Sequence, residues 1–403
     1  MATGQPPPST NAAASAAGIA TSRDAFRRLR VSSPYTLFDS QNRYIVNDKF
    51  STLFGGGGNF TFNANESSLS LNVGTSSGDS VTRETTRVFA YQPGKSLFVM
   101  SSFLMAAGQT NLTQRIGYFG AQNGIFLEQV GTTLNMVLRN YATGSSVETR
   151  IAQANWSDDK FDGTGPSGVV IDVTKTNVFF IDLGWFGIGD VRCGFIVNGD
   201  FYVGHTFRNA NDHITVFMTT ACLPVRMEIT NTGVTASPST FKEICTSVQS
   251  EAGFELTGSS YSAGTGVTYL TLPTAGTLYP LVSIRLDAAR LDAIVMPNLL
   301  SILPNTGNVL FSVVVNGTLG GPTSWVTHSH GTIDYDVSST SIVGGTELWG
   351  GYCVEKSVIE FGSAQLQLGR SLIGVADIMT ICAIPFDKNS QVAALLSWSE
   401  IIT

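Results

Sequence analysis

The stretch Val191–Phe207, VRCGFIVNGDFYVGHTF, decides the fold class. Apolar side chains recur at every second position on both sides of Asn198-Gly199, and this dipeptide is the strongest sequence signal for a two-residue hairpin turn. Alternation with a period of two is typical of a half-buried strand. The stretch therefore predicts two antiparallel strands joined by a tight turn, and the same pattern recurs along the chain.

Further period-two segments are separated by turn residues. Ser68–Val73 places three apolar side chains on one face, and Val88–Tyr91 is followed by the turn signal Gln92–Lys95. Gly and Pro at the centre of that signal favour a type II turn. Between Asn155 and the C-terminus, no segment predicts a helix longer than three turns. We therefore predict an all-β chain of two antiparallel β-sandwich or jelly-roll domains with an extended N-terminal arm.

Three regions follow from changes in composition. Residues 1–30 begin with a low-complexity Pro, Ala and Ser tract, which we interpret as an arm or tether. Residues 31–250 form the first predicted sandwich. Residues 251–403 form the second, because the sequence around residue 250 becomes rich in Ser, Gly and Thr, which is typical of a linker.

The overall composition excludes several classes of protein. Of 403 residues, 43% are apolar and only 13% are charged, and 42 are glycine. The charged fraction is about half of the usual quarter. Helical bundles and coiled coils need charged outer faces, and disordered chains need high charge with low hydrophobicity. Neither class fits this chain.

The charge is unevenly distributed. The net charge is −7, and the arm segment 23–30 contains four arginines and one aspartate, so the chain after residue 30 carries −10. An acidic body argues against sequence-specific nucleic-acid binding. The arm is either a docking segment or a solvated leader. If it docks, the partner-binding residues are Arg23, Phe26, Arg27, Arg28, Leu29 and Arg30.

Cysteine usage and hydropathy bear on the compartment. The five cysteines include no C-x-x-C pair and lie in apolar, strand-like segments, so we predict buried, reduced thiols and folding in a reducing cytoplasm. The N-terminus lacks the pattern of a secretory signal, and no run of 18 apolar residues occurs. We expect no membrane partner.

Few residue constellations could support chemistry. His328 and His330 precede Asp334 and Asp336, which is the spacing of a weak metal or paired-carboxylate candidate. An exposed loop leading into a surface strand explains the same residues, and we predict no metal. Asp158–Gly165 resembles part of a calcium loop but lacks its spacing and distal glutamate.

The remaining candidates for catalysis are weaker still. His205 alternates with apolar residues, so we interpret it as a hydrogen-bonded, half-buried strand residue and not as a general base. Neither a G-x-S-x-G elbow nor a dinucleotide-binding motif occurs. We therefore predict no catalytic residue, no cofactor and no enzymatic activity.

An ordered set of motifs resembles a widespread group of tailed-bacteriophage virion structural proteins, of fibre or appendage type, common in marine phages. The resemblance covers nearly the whole chain and implies a particle component, with no catalytic residues to carry over. The first domain also resembles concanavalin-like jelly rolls. The motifs are Arg30–Ser40, Tyr91–Ser96, Asp162–Gly168, Trp185–Phe195, Ile244–Val248 and the C-terminal half from Leu291 to Trp398.

Three hypotheses follow. The leading one is a non-enzymatic virion component, made in the host bacterial cytoplasm, that forms a trimer or higher homo-oligomer and binds other virion proteins. The second is a lectin-like adhesin for host surface glycans, with loop aromatics such as Trp156 or Trp325 in its site. The third is a depolymerase that would use Asp334 and Asp336.

Overall fold

The computed structural model describes residues 33–255, 257–361 and 366–401, and no α-helix occurs among them. The predicted all-β, antiparallel fold is confirmed. The chain divides into two compact units. Unit 1 contains the described residues up to Thr85 and then Phe89–Phe254, and unit 2 contains Thr86–Val88 and the described residues from Glu255 onward.

The described part of unit 1 consists of fifteen strands and one 3₁₀ turn (Gln153–Asn155). The strands are β1 (Tyr35–Gln41), β2 (Phe50–Gly55), β3 (Asn59–Asn63), β4 (Ser68–Val73), β5 (Ser80–Thr85), β6 (Leu97–Leu104), β7 (Leu112–Phe119), β8 (Gly124–Val130), β9 (Thr133–Asn140), β10 (Val147–Ala152), β11 (Asn177–Leu183), β12 (Val191–Val197), β13 (Asp200–Phe207), β14 (Val225–Asn231) and β15 (Ser239–Ser250).

These strands form two antiparallel sheets that face each other. One sheet has the order β13-β12-β11-β6-β15-β4-β3, with β1 paired to β15, and the other has the order β10-β9-β8-β7-β14-β5-β2. Between the sheets lie fully buried side chains such as Leu71, Ile116 and Phe195. Alternate residues of each strand point to this core, as the period-two pattern predicts.

The hairpin that defines the fold class forms as predicted. Val197 pairs with Asp200, and Asn198 and Gly199 both have positive φ, which is the backbone of a type I′ turn. One feature is not visible in the sequence pattern. A bulge makes Gly204 the extra residue of β13, and a Cβ at that position would lie 2.7 Å from the ring of Phe161.

Two local predictions within residues 31–250 need correction. Val88–Tyr91 does not form a strand, although its side chains are buried and Phe89 N–H donates to the carbonyl oxygen of Leu223. Cys245 is exposed, whereas Cys193 and Cys222 are buried as predicted. A register shift between Glu243 and Cys245 accounts for the exposure, because a shift of one residue turns a side chain to the other face.

The described part of unit 2 contains thirteen strands. They are β16 (Ser259–Gly264), β17 (Leu270–Leu272), β18 (Tyr279–Leu286), β19 (Ile294–Thr306), β20 (Val309–Val315), β21 (Thr318–Gly320), β22 (Val326–Thr327), β23 (Ile333–Asp336), β24 (Ser341–Val343), β25 (Thr346–Cys353), β26 (Ser357–Glu360), β27 (Ile378–Pro385) and β28 (Ser390–Ile401).

Unit 2 is also built from antiparallel sheets. One has the order β16-β28-β19-β26 with β17 paired to β28, another has the order β22-β23-β18-β27-β20-β25, and β21 pairs with β24. The core includes Val313, Ile381 and Trp398. The long strand β19 shifts register at Pro297 and Pro304, because proline cannot donate a ladder hydrogen bond.

The described residues contain no helix that is both long and apolar enough to cross a membrane.

Candidate functional site: an arginine–glutamate ladder

The outer face of the seven-stranded sheet in unit 1 carries an unusual concentration of charge. Ile116, Leu127 and Met227 point into the core, so their sequence neighbours Arg115, Glu128 and Glu228 point outward. The register places Arg115 directly opposite Glu228 on one side and Glu128 on the other. Opposite charges at directly facing positions attract across the strands.

These three residues belong to a continuous chain of ion pairs across six strands, which we call the ladder. Arg115 lies at its centre, with Nη1 3.0 Å from Glu228 Oε2 and Nε 2.8 Å from Glu128 Oε1. In the order in which the ion pairs connect them, the ladder residues are Glu84, Arg226, Glu228, Arg115, Glu128, Arg150, Glu148 and Arg139.

Each end of the ladder closes on a further ion pair. At one end, Arg226 Nη1 lies 2.9 Å from Glu84 Oε2, and the same guanidinium also binds Glu228. Toward the other end, Arg150 Nε lies 2.7 Å from Glu128 Oε2 and also binds Glu148. Arg139 then binds Glu148 with Nη2 2.6 Å from Oε1.

The ladder lies over a small apolar cluster. Phe119, Phe126 and Val137 are fully buried on this outer face. The guanidinium of Arg139 lies 5.0 Å from the ring centroid of Phe126, and that of Arg226 lies 5.6 Å from the ring centroid of Phe119. Cation–π contacts at these distances stabilise the guanidinium position and shield the rings from water.

Burial and charge act in opposite directions on the ladder carboxylates. Burial opposes ionisation of Glu228, but Arg226 and Arg115 outweigh it and lower the pKa of this carboxyl. Burial likewise opposes ionisation of Glu148, and Arg139 with Arg150 lowers its pKa. The pKa of Arg115 is raised, because its two glutamate partners outweigh desolvation. Both carboxylates therefore stay ionised at neutral pH, whereas a glycosidase acid needs a raised pKa.

The predicted carboxylate pair of unit 2 is held by structural hydrogen bonds. Asp334 Oδ2 accepts from Arg285 Nη2 at 3.1 Å, and its Oδ1 accepts from Thr327 Oγ1 at 2.8 Å. Asp336 accepts from the backbone N–H of Ser324 at 2.9 Å and from Ser338. Burial opposes ionisation of Asp336, but these hydrogen bonds lower its pKa.

The two histidines upstream do not join Asp334 and Asp336 in a metal cluster. Within residues 33–255, 257–361 and 366–401, no group of three or more His, Cys, Asp or Glu side chains could hold a metal ion. His328 packs against aromatic rings instead, 4.8 Å from the ring centroid of Tyr261 and 5.7 Å from that of Trp398.

The calcium-like segment of unit 1 folds on itself. Asp159 Oδ1 accepts from Phe161 N–H at 2.9 Å, and Oδ2 accepts from Ser167 N–H at 2.8 Å. Asp162 accepts from the N–H and hydroxyl of Thr164, and these hydrogen bonds lower its pKa. The loop thus uses its carboxylates to satisfy its own backbone.

His205 is the hydrogen-bonded strand residue that the alternation predicts. Its Nδ1 accepts from the N–H of Ser157 at 3.2 Å, and its ring packs edge-on against Phe207. An Nδ1 that accepts a hydrogen bond belongs to a neutral imidazole with its proton on Nε2. Burial lowers the pKa of His205, and the carboxylate of Asp158 offsets only part of this effect.

The two loop tryptophans predicted for a glycan site pack against other side chains of the protein. Trp156 is 3% exposed, packs against Phe161 and donates from Nε1 to the carbonyl oxygen of Ile151 at 2.9 Å. It is a core residue, so the prediction that it forms a sugar platform is wrong. Trp325 is half-buried, with the guanidinium of Arg285 4.2 Å from its ring centroid.

The predicted arm residues Arg23, Phe26, Arg27, Arg28, Leu29 and Arg30 lie outside the described residues, so their role stays a prediction.

The sequence analysis did not predict the ladder. A signal was present, because Arg226 and Glu228 alternate on one strand and Glu148 and Arg150 alternate on another. Alternating opposite charges in a strand indicate an ion-paired face.

Comparison with known proteins gives no family. No protein-family model matches the chain, and a search of the curated proteins finds no match. Several solved structures share its β-rich architecture at low similarity. They include the carbohydrate recognition domain of Emp47p (10% identity, TM-score 0.34, covering 55% of this chain and 98% of that one). A β-1,3-glucanase from Mycobacterium marinum has 10% identity and a TM-score of 0.38, and covers 54% of this chain and 100% of its own.

A glycosyl hydrolase family protein from Mycobacterium fortuitum is similar at the same level, with 8% identity and a TM-score of 0.37 over 53% of this chain and 99% of its own. At these identities and scores, the similarities assign neither a binding site nor an activity to this chain. The fold and the ladder together define an antiparallel β-sandwich protein. On the outer face of its seven-stranded sheet, arginine and glutamate side chains neutralise one another's charge.

Proposed function

We propose that the protein is a non-enzymatic structural component of a bacteriophage virion, where it assembles as a homo-oligomer with other virion proteins. The single observation that carries the non-enzymatic part is the ladder. Each of its glutamates is bound by at least one arginine, so no ladder carboxylate is available as a proton donor. The virion location is inferred from the ordered motifs that resemble phage structural proteins.

The low charge of the remaining surface supports an assembly role. Only 13% of residues are charged, and the outer face of the eight-stranded sheet carries amide and hydroxyl groups that bond to one another. Asn72 Nδ2 donates to Asn59 Oδ1 at 3.1 Å and to Thr61 Oγ1 at 3.2 Å. Covering such a face with another subunit avoids the cost of desolvating ions.

Purified particles test this proposal directly. Mass spectrometry of gradient-purified virions is expected to detect the protein at a stoichiometry of many copies per particle. Labelling the chain for electron microscopy should then place it at a repeated position on the particle. Absence of the protein from intact virions, while it is abundant in the infected host, would contradict the proposal.

Glycan binding is the second candidate, and the amide–hydroxyl row favours it. Asn59, Thr61 and Asn72 lie side by side on two paired strands, and Thr240 Oγ1 extends the row by donating to Asn72 Oδ1 at 2.9 Å. Side-chain amides and hydroxyls both donate and accept hydrogen bonds, as sugar hydroxyls require. A glycan array with Asn72→Ala as a matched variant tests this role. Binding that is equal in both proteins, or absent from both at millimolar sugar, would exclude the row.

A further inference from the structure

The chain contains three Asn-Gly dipeptides, which begin at Asn123, Asn198 and Asn316. Such a dipeptide can react with itself, because glycine has no side chain to hinder attack by its backbone nitrogen on the preceding carboxamide. The attack requires a geometry that a freely rotating side chain reaches and a fixed side chain does not. The fold therefore decides which of the three dipeptides can react.

The carboxamide of Asn123 is held at both of its polar atoms. Asn123 is 2% exposed, and its Nδ2 donates to Thr219 Oγ1 at 2.7 Å. Its Oδ1 accepts from the backbone N–H of Thr219 at 3.0 Å and from that of Tyr141 at 3.2 Å. A Cβ on Gly124 would collide with Phe119, so the next backbone nitrogen is also crowded. Rotation of this carboxamide toward the Gly124 nitrogen would break three hydrogen bonds.

Asn316 is exposed, yet its carboxamide is also fixed at both ends. Its Nδ2 donates to Asp377 Oδ1 at 2.9 Å, and its Oδ1 accepts from the backbone N–H of Ile378 at 2.9 Å. Gly317 is buried, and a Cβ at this position would lie 2.6 Å from Ile342 Cδ1. Exposure alone therefore does not make an Asn-Gly dipeptide of this chain reactive.

Asn198 differs from the other two asparagines. It lies exposed at the tip of the β12–β13 hairpin, and no described residue forms a hydrogen bond with its carboxamide. Val197 and Asp200 close the two-residue turn, so the N–H of Gly199 takes no part in the ladder of hydrogen bonds. A Cβ on Gly199 would meet no atom within 4 Å, which leaves space for water and for rotation of the Asn198 side chain.

We propose that Asn198 is a self-modification site, where the chain converts asparagine to aspartate or isoaspartate with water as the only reagent. The backbone nitrogen of Gly199 bonds to Asn198 Cγ, its proton leaves with the carboxamide nitrogen as ammonia, and a succinimide ring closes. Water then adds to one of the two ring carbonyl carbons and breaks the bond from that carbon to the nitrogen. Cleavage at Cγ gives aspartate, and cleavage at the main-chain carbonyl gives isoaspartate, in which the chain runs through Cγ.

The two products affect the hairpin differently. Aspartate tolerates the positive φ of residue 198, so the aspartyl product keeps the turn. Isoaspartate adds a methylene to the main chain, and a two-residue turn accommodates it only by displacing the Val197–Asp200 pair. Either product adds one negative charge beside Asp200, so anion exchange separates the modified chain from the native one. The inference does not depend on the virion role proposed above.

Peptide mapping by mass spectrometry tests the inference on the folded full chain. After incubation in mildly alkaline buffer, the mass increase from carboxamide to carboxylic acid is quantified at each of the three asparagines. Conversion at Asn198 is expected to be about 10- to 100-fold faster than at Asn123 and Asn316, the range that misplacing one reacting group produces. Conversion at Asn198 that is no faster than at the other two positions overturns the inference.

The same chain unfolded in urea is the reference, because all three dipeptides then lose the contacts that distinguish them. Their rates are expected to converge, and an equally strong preference for Asn198 in urea would overturn the role of the fold. Asn198→Gly leaves a Gly-Gly dipeptide, which also favours a type I′ turn, and should remove the acidic species from anion exchange. Persistence of that species in Asn198→Gly would show that another residue is the principal site and would overturn the proposal.

Asp377→Ala tests whether hydrogen bonds select the site. This variant removes the acceptor of Asn316 Nδ2, so conversion at Asn316 is expected to rise severalfold while conversion at Asn198 stays the same. Asp377→Asn is the matched control, because its side-chain oxygen still accepts a hydrogen bond and should keep Asn316 protected. An unchanged rate at Asn316 in Asp377→Ala would overturn the selection of Asn198 by its lack of hydrogen bonds.

Discussion

The guanidinium of Arg83 on one sheet of unit 1 binds the carboxylate of Glu243 on the other, with Nε 2.7 Å from Oε2 and both side chains almost fully buried. Arg83 also donates to Thr52 Oγ1 at 3.0 Å and lies over the ring of Phe50, 4.4 Å from its centroid. This ion pair connects the two layers of the sandwich in the buried interior of unit 1. It therefore fixes the relative register of the layers, because neither charge can be buried without the other.

Replacing Arg83 with methionine leaves Glu243 buried without its cation. We expect Arg83→Met to reduce the free energy of unfolding by about 3–5 kcal/mol, measured by chemical denaturation. The double variant Arg83→Met, Glu243→Leu should recover most of the loss. Lys242→Met is the matched control, because solvent screens the exposed Lys242–Glu66 pair, so its removal should leave the free energy of unfolding nearly unchanged. Equal losses for the two single variants would contradict a role for burial.

The ladder should be most sensitive at its centre. Arg115→Gln removes the guanidinium that binds both Glu228 and Glu128, and we expect a loss of about 2–3 kcal/mol in unfolding free energy. Arg150 is 42% exposed at its side chain, so Arg150→Gln should cost less than about 1 kcal/mol. Urea denaturation of both variants measures the difference, and a larger effect at Arg150 would argue against a buried network.

Acid should destabilise the protein through the ladder. The pKa values of Glu228 and Glu148 are lowered in the folded state, so their contribution is present above the ordinary value of 4.5. It is lost as the pH falls from there through the lowered folded pKa, because the unfolded chain then binds more protons. Thermal unfolding at a series of pH values should show this decline. Glu228→Gln should flatten the pH dependence, and an unchanged slope would exclude this carboxylate as its source.

His205 should contribute a second decline at higher pH. Because its folded pKa is lowered from 6.5, stability is complete above pH 6.5 and falls as the pH drops toward the folded pKa. The NMR titration of its imidazole should have a midpoint below 6.5 with the Nε2–H tautomer in the neutral form. A midpoint for His205 at or above 6.5 would contradict the burial argument.

Local patterns in the sequence predicted much of unit 1. Alternation and the Asn198-Gly199 turn fix β12 and β13, and Ser68–Val73 becomes β4 with its three apolar residues in the core. The bulge at Gly204 escaped prediction, because an extra residue depends on the approach of Phe161 from another segment. Val88–Tyr91 is apolar enough for a strand, but it finds no neighbouring ladder among the described strands.

The candidate site depends on contacts that are distant in sequence. Glu84 and Arg226 are 142 residues apart, and Arg115 and Glu228 are 113 apart, so only the strand order brings them together. Trp156 shows the reverse error. It lies beside acidic and polar loop residues, yet the ring enters the core because its N–H finds a carbonyl acceptor there.

The ladder also affects the electrostatic potential that a distant partner experiences. Four positive and four negative charges alternate along it at contact distance, so its electrostatic potential cancels a few ångströms above the sheet. Potentials beyond the Debye length of about 8 Å are screened in any case at physiological salt. The net charge of −7 therefore arises from residues elsewhere, and any steering of partners by charge starts from those surfaces.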